Sequence, residues 1–161
     1  SLRKTNFENF PLSEWNKELS VNLTGVFLCC QEIGKIMKKQ KNGVILNISS
    51  IYGNVAPDPR IYKNNGLTPT ISYSVTKGGI ISLTKYLAVH LAPNIRVNCI
   101  SPGGIHHNQS KKFIKKYSEL TPMKRMLEVK ELNELVLFLI NDNSKYVTGS
   151  NIIIDGGYSS W

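Results

Sequence analysis

The chain has 161 residues, with 20 lysines and arginines against 11 aspartates and glutamates and a formal net charge of +9. Its length suits one globular domain, and a hydrophobic fraction of 41% excludes a disordered tail. Half of the lysines lie in two runs, 35–41 and 111–116, without the aromatic ladder or zinc-finger spacing of nucleic-acid-binding proteins. The charge therefore indicates solvated helix faces. Nucleic-acid binding stays open as an interpretation that rests on charge alone.

The composition also bears on the compartment and on metals. The longest apolar run, Leu135–Ile140, has six residues, whereas a membrane span needs ~18. The first residues lack the apolar segment of a signal peptide. Cys29, Cys30 and Cys99 form neither a disulfide framework nor a metal-binding pair. We expect a cytoplasmic protein that has neither a membrane-spanning segment nor a metal site.

Short apolar runs alternate with longer helical patterns along the chain, which is typical of a parallel α/β sheet. Ser13 is a candidate N-cap for the first helix, which Asn42-Gly43 would end. The run Val44–Ile48 lacks alternation, so we expect a central strand buried on both faces. In chain order the predicted elements are a helix over 13–39, a strand over 44–48, a loop over 51–72, a helix over 73–91, a strand over 95–100, helices over 111–117 and 128–140, and a strand over 151–155.

Ligands of an open parallel sheet bind beyond the carboxyl ends of the strands. These ends are predicted at Ser49-Ser50, 101–104 and 155–157. The loop over 51–72 is long for a compact domain, and loops of this length are usually functional or disordered. Its polar and aromatic residues include Arg60, Tyr62 and Asn64.

Tyr73 and Lys77 are four residues apart at the start of a predicted helix, so their side chains share one face. A free phenol, with a pKa of ~10, is a poor base at neutral pH, and a neighbouring ammonium favours its charged form. The spacing also arises by chance, and alone it indicates an ordinary surface pair. Ser50 at a strand end and Asn22 among apolar helix residues favour the catalytic interpretation.

Five segments resemble the short-chain dehydrogenases/reductases in order and spacing. They are Val21–Gly25; Asn47–Ser50 with Gly53; Tyr73–Lys77; Ile95–Asn98 followed by Ser101–Gly103; and Thr148–Gly149 with Asp155–Gly157. The resemblance covers nearly the whole chain, from about Phe7 to Tyr158. Five ordered motifs are far more specific than any one of them.

The resemblance implies a Rossmann-like three-layer fold with a parallel sheet, and an enzyme that uses NAD or NADP. It implies that Tyr73 exchanges a proton with the substrate, that Lys77 supports Tyr73 and binds the nicotinamide ribose, and that Ser50 hydrogen-bonds the substrate oxygen. Asn22 would hold a water in a proton relay with Lys77. The segment that would pack on the nicotinamide consists of Pro102, Gly103, Gly104 and Ile105. The family resemblance also implies a homodimer or homotetramer.

One departure from the family concerns the cofactor. No Gly-rich turn of the form G-x-x-x-G-x-G occurs in the sequence, although such a turn seats the pyrophosphate on a helix N-terminus in this family. Residues 1–161 therefore resemble the C-terminal, catalytic and substrate-binding portion of a single Rossmann domain, without its N-terminal strands. The residues that choose between NAD and NADP would lie in the missing portion.

Two further departures concern the substrate. Tyr73 follows Ser50 by 23 positions, a longer interval than is usual in the family. The extra loop either lines the substrate mouth, with Arg60 as a candidate substrate ligand, or is a surface insertion. After the Pro-Gly pair the family's threonine is replaced by the run Ile105–Gln109, whose His106 is a second candidate on a polar rim. These features resemble a subset linked to bacterial surface-sugar pathways, including flagellin modification.

The leading prediction is an NAD(P)-dependent oxidoreductase that interconverts a carbonyl and an alcohol on a small, polar, sugar-derived substrate. The alternative is a catalytically inactive module that acts in oligomerisation. Neither prediction includes a nucleic-acid or membrane partner.

Overall fold

The computed structural model describes residues 7–62 and 69–161. Its helices are α1 (Leu12–Leu19), α2 (Gly25–Gln40), α3 (Pro59–Tyr62), α4 (Ile71–Leu91), α5 (Lys111–Leu120) and α6 (Val129–Ile140), and its strands are β1 (Gly43–Ile48), β2 (Ile95–Pro102) and β3 (Asn151–Ile154). The alternation confirms the predicted α/β class with a parallel sheet. None of the helices in the described ranges combines the length and the apolar character that crossing a membrane requires.

The sheet has the order β1-β2-β3, and both pairs are parallel. β2 lies in the middle, and all of its residues except Arg96 are buried. The prediction that β1 is central and buried on both faces was wrong for the described part of the chain. There β1 pairs only with β2 and most of its residues are half-buried. A continuous apolar run identifies a strand but does not say how many neighbours it has.

The first predicted helix consists of two α-helices with a π-helical turn between them. α1 and α2 are joined by a π-helical turn, Ser20–Thr24, which contains Asn22. Single π turns inside α-helices occur frequently at functional sites. Ser13 is not the N-cap as predicted, because the helix begins one residue earlier and Pro11 occupies the cap position without a side-chain bond.

The long loop after β1 is partly ordered by apolar contacts. Residues 63–68, with Asn64, lie outside the described residues. Ile51 and Ile61 are buried in one cluster with Tyr117 of α5, Met126 and Tyr158. The cluster ties this loop to the segment after β2, so the two together form walls over the carboxyl edge of the sheet.

The helix predicted over 73–91 begins two residues earlier, at Ile71. Thr70 is its N-cap, and the Thr70 hydroxyl accepts a hydrogen bond of 3.3 Å from the backbone N–H of Tyr73. A threonine cap satisfies a donor that the first turn leaves unpaired. Tyr73 therefore sits in the first turn of α4, where the helix begins beside the carboxyl end of β1.

Candidate active site

The two serines that follow β1 point to different surroundings. Ser49 is 3% exposed, and its hydroxyl donates a hydrogen bond of 2.7 Å to the carbonyl of Lys77 in α4. Ser50 lines a cavity, and its hydroxyl oxygen accepts a bond of 3.2 Å from the N–H of Tyr52. Successive residues of an extended chain point to opposite sides, so one serine anchors α4 while the other faces the cavity.

Tyr73 and Lys77 lie on the same side of α4, as their spacing predicts. The Lys77 Nζ is 5.6 Å from the centroid of the Tyr73 ring and donates a hydrogen bond of 3.0 Å to the carbonyl of Ile48 at the end of β1. Burial lowers the pKa of Lys77, and the nearby Cys99 partly offsets this effect. The ammonium is thus held beside the phenol by the last carbonyl of a strand.

The cavity at this edge of the sheet has a volume of about 710 Å³. It is lined by Glu18, Ser50, Ile51, Tyr52, Tyr62, Pro69, Thr70, Tyr73, Gly103, Gly104, Asn108, Gln109, Ser110, Phe113, Tyr117 and Met126. Its walls come from the end of β1, the start of α4, the segment after β2 and helix α5. Aromatic rings and methylene groups form much of the lining, with a few polar groups, which is the usual character of a small-molecule site.

The glycine pair after β2 is held by close packing. The N–H of Gly103 donates to the carbonyl of Ile154 at 2.8 Å, and the N–H of Gly104 donates to the hydroxyl oxygen of Tyr117 at 2.5 Å. A Cβ on Gly104 would lie 2.7 Å from the Tyr117 ring, and a Cβ on Gly103 would lie 2.9 Å from the backbone of Asp155. Larger residues would push this turn away from the sheet, so the two glycines keep its backbone on the cavity wall.

Comparison with known proteins identifies the family of this chain. The sequence model of a family described as enoyl-(acyl carrier protein) reductase matches residues 1–159. A short-chain dehydrogenase from Leptospira borgpetersenii, solved with bound NAD+, superposes with a TM-score of 0.89 and is 46% identical over 96% of this chain and 60% of that one. The chain belongs to the short-chain dehydrogenase/reductase family.

Two other relatives show the breadth of the family. Post-translational flagellin modification protein A of Campylobacter coli is 40% identical over 88% of this chain and 56% of its own length. A gluconate 5-dehydrogenase from Burkholderia cenocepacia, in complex with NADP and tartrate, has a TM-score of 0.86 and 27% identity over 99% of this chain and 61% of that one. The chain thus spans a little under two thirds of the length of these short-chain dehydrogenases/reductases.

Part of the predicted site comes together in the structure. Ser50, Tyr73, Gly103 and Gly104 all line the cavity, and Lys77 lies behind Tyr73. Pro102 is the last residue of β2, and Ile105 follows in a bridge to Leu127. Asn22 occupies the π turn of the N-terminal helix and is not among the described residues that line the cavity. The roles of all these residues stay predictions.

The two predicted substrate ligands lie elsewhere. The Arg60 side chain is 79% exposed and pairs with Asp58 at 2.6 Å. His106 places its Nδ1 3.3 Å from the carboxylate of Glu128, on the surface. Neither residue is among the described residues that line the cavity. Their part in substrate binding also stays a prediction.

Sequence reasoning missed Glu18, Thr70 and Ser72. The carboxylate of Glu18 in α1 accepts hydrogen bonds from the hydroxyls of Thr70, at 2.5 Å, and of Ser72. Glu18 precedes Asn22 by four positions, so a search of that helix face for polar residues would have found it. Its partners, more than fifty positions away, carry no signal in the sequence.

Other chemistries find little support in the described residues. No three histidine, cysteine, aspartate or glutamate side chains of residues 7–62 and 69–161 come together as a metal site would require. The three cysteines, Cys29, Cys30 and Cys99, are free thiols, and burial raises the pKa of Cys30 and of Cys99. A raised pKa disfavours the thiolate, so neither buried cysteine is suited to act as a nucleophile.

Proposed function

We propose that the protein carrying this chain is an NAD(P)-dependent oxidoreductase that interconverts a carbonyl and an alcohol on a small, polar, sugar-derived substrate. The observation that carries this proposal is the placement of Ser50 and Tyr73 on one cavity, with Lys77 behind the phenol. A cavity with a hydroxyl donor and a phenol supported by an ammonium suits proton exchange with a carbonyl or alcohol oxygen.

Each of these residues has a distinct part. The phenol of Tyr73 donates a proton to the substrate oxygen during reduction and accepts one during oxidation. The hydroxyl of Ser50 donates a hydrogen bond to the same oxygen and holds it in place. The ammonium of Lys77 stabilises the charge that forms on Tyr73 when the phenol gives up its proton.

The residues present fit the nicotinamide end of the cofactor. The Lys77 ammonium has three donors. The carbonyl of Ile48 uses one of them, and the others have no acceptor among the described residues, so they suit a ribose hydroxyl. The backbone from Pro102 to Ile105 would hold the nicotinamide beside Tyr73. When bound, the nicotinamide supplies or accepts the hydride. The NAD+ and NADP named for two of the relatives support this cofactor class.

A polar, sugar-derived substrate is supported by the lining of the cavity and by one relative. Hydroxyl and amide side chains on its walls are Ser50, Thr70, Asn108, Gln109 and Ser110. Such groups bind the hydroxyls of a polyol by hydrogen bonds that apolar walls cannot supply. The similarity to a flagellin modification protein is in keeping with a surface-sugar substrate.

The replacement Tyr73→Phe tests the mechanism, because it removes one oxygen and leaves the ring in place. We expect turnover of a polyol panel with NAD+ or NADP+, followed by absorbance of the reduced nicotinamide, to fall by about a hundredfold or more. The matched control is Tyr86→Phe in the same helix, because Tyr86 is 68% exposed and its ring stacks on His90. Turnover by Tyr73→Phe at the rate of the control would contradict the assigned role.

The alternative, an inactive module that acts in oligomerisation, is favoured by apolar side chains on the surface. Leu28 and Ile36 of α2 and Val75 and Val89 of α4 are all exposed. Patches of this kind mark protein interfaces. The same assay separates the two candidates, since an inactive module shows no turnover in the wild-type protein. Homodimers and homotetramers fit either function.

We also propose a cytoplasmic location. All three cysteines of the chain are free thiols, and unpaired cysteines are the usual state in reducing compartments.

A further inference from the structure

Glu18 stands apart from the other residues on the cavity wall because it is charged. Of the described residues that line the cavity, it is the only one that carries a formal charge at neutral pH. The rest are apolar, aromatic, hydroxyl or amide side chains. A carboxylate on the cavity wall contributes directly to the electrostatic preference of the site, and the Lys77 ammonium behind Tyr73 is the opposite charge described above.

Hydrogen bonds fix one oxygen of this carboxylate. Its Oε2 accepts from the hydroxyls of Thr70 and Ser72, and Ser72 is fully buried. Thr70 is also the N-cap of α4 and accepts from the N–H of Tyr73. The carboxylate thus lies at the N-terminus of the helix that carries Tyr73, where the helix dipole favours a negative charge. Its position relative to the reacting phenol is set by two hydrogen-bonded side chains.

The other oxygen of the Glu18 carboxylate has no partner among the described residues. Within residues 7–62 and 69–161, no hydrogen bond is formed by Glu18 Oε1. A carboxylate oxygen only accepts hydrogen bonds, so it favours a hydroxyl or, more strongly, an ammonium group on the ligand. A carboxylate or phosphate group placed beside this oxygen would meet a like charge.

We propose that Glu18 is a specificity-determining residue. It accepts a hydrogen bond from an ammonium or hydroxyl group that the substrate carries near its reacting carbon, and it disfavours substrates with an anionic group at that position. The substrate class is therefore a neutral polyol or an amino polyol rather than a sugar acid. This inference rests on the proposed function, because it places the substrate in the cavity that holds Ser50 and Tyr73.

The test compares the binding of three probes of similar size by isothermal titration calorimetry. They are 2-amino-2-deoxyglucitol, glucitol and gluconate, which carry an ammonium, only hydroxyls and a carboxylate respectively. We expect the wild-type protein to bind the amino polyol about tenfold or more tightly than gluconate. The variant Glu18→Gln keeps the shape and an oxygen for Thr70 and Ser72, and we expect it to lose most of this preference.

Two control variants separate a role of Glu18 in substrate specificity from a purely structural role. Glu14→Gln removes the same charge from the same helix, at a residue outside the described lining of the cavity, and should keep the wild-type ratio of affinities. Ser72→Ala removes one hydrogen bond to Glu18 but leaves its charge, and should also keep a preference for the amino polyol. A residue with only a structural role would weaken all three probes equally in Glu18→Gln.

The experiment distinguishes the failure of this inference from the failure of the proposed function. The inference would be overturned if the ratio of affinities for the amino polyol and gluconate were the same in the wild-type protein and in Glu18→Gln. This includes the case in which Glu18→Gln binds all three probes equally weakly. Loss of the preference in Glu18→Gln alone would support it. Turnover is measured separately with NAD+ and NADP+, so a protein that selects the amino polyol without oxidising it would refute the oxidoreductase and leave this inference standing.

Discussion

The effects of replacing Ser49 and Ser50 can be compared directly, because these adjacent residues of the same type have different surroundings. Ser49 is buried and donates to the Lys77 carbonyl at 2.7 Å, whereas Ser50 lines the cavity and accepts from the Tyr52 N–H at 3.2 Å. Replacing each in turn by alanine removes one oxygen at neighbouring positions. We expect similar losses of stability from the two variants and very different losses of turnover.

The expected magnitudes follow from the hydrogen bonds. Ser49→Ala loses one buried bond, worth about 1 kcal/mol net. The Lys77 carbonyl lies inside α4 and keeps its helical donor four residues on, so no buried acceptor is orphaned. Ser50→Ala loses the cap of the short turn Ile51–Gly53, which is also worth about 1 kcal/mol. Each variant would thus lower the folding equilibrium constant by roughly fivefold.

Turnover separates the variants because only Ser50 can reach a molecule in the cavity. Losing a hydrogen bond to the reacting oxygen reduces kcat by about a hundredfold, whereas Ser49→Ala should stay within about twofold of wild type. Urea unfolding reports the free energies and reduced-nicotinamide absorbance reports the rates. If Ser49→Ala loses as much turnover as Ser50→Ala at equal stability, the division of roles between the two serines is wrong.

Two other predictions concern the lysine and the glycine beside these serines. Burial lowers the pKa of Lys77 in the folded protein below its ordinary value of 10.5. Between the folded and the unfolded pKa, the unfolded chain therefore binds more protons than the folded chain. The free energy of unfolding of the wild type relative to Lys77→Met should therefore rise as the pH rises through this range. Urea unfolding at several pH values checks this, and a flat or falling difference would refute it. In Gly53→Ala, the added Cβ would lie 2.7 Å from the backbone carbon of Lys77, so we expect a loss of about 1–3 kcal/mol. In the control Gly25→Ala, the added Cβ would meet only the carbonyl oxygen of Ser20, at an ordinary contact distance of 3.6 Å, and the position is helical. The urea midpoint of this control should stay the same or rise, and equal midpoints for the two variants would contradict the packing argument.

The fold was largely predictable because its signals are local. The strands β1, β2 and β3, predicted from their apolar runs, and the helices α4 and α6 lie in the segments predicted for them. The errors concern what local patterns cannot encode. The edge position of β1 depends on which strands are present to pair with it, and the start of α4 depends on Thr70, whose capping role is visible only once the helix position is known.

The candidate site was predictable where one helix or one strand end carries its residues. Tyr73 and Lys77 are one helical turn apart, and Ser50 follows a recognisable strand. Arg60 shows the limit of such reasoning, because a carboxylate two positions earlier binds its guanidinium at the surface. A polar side chain in a long loop can contact many different partners, and the sequence of the loop does not reveal which of them it binds.

Glu18 also changes what the net charge of the chain means. The charge of +9 comes largely from lysines, such as the exposed Lys111 and Lys112 on α5, and charges in contact with water are screened within about 10 Å at 0.1 M salt. The carboxylate of Glu18 lies on the cavity wall, closer to a bound ligand and less screened. A basic protein can therefore offer its ligand a negative site. The sign of the total charge predicts behaviour towards a polyanion at long range. It does not predict the choice between an ammonium and a carboxylate in the cavity, to which we expect Glu18 to contribute directly.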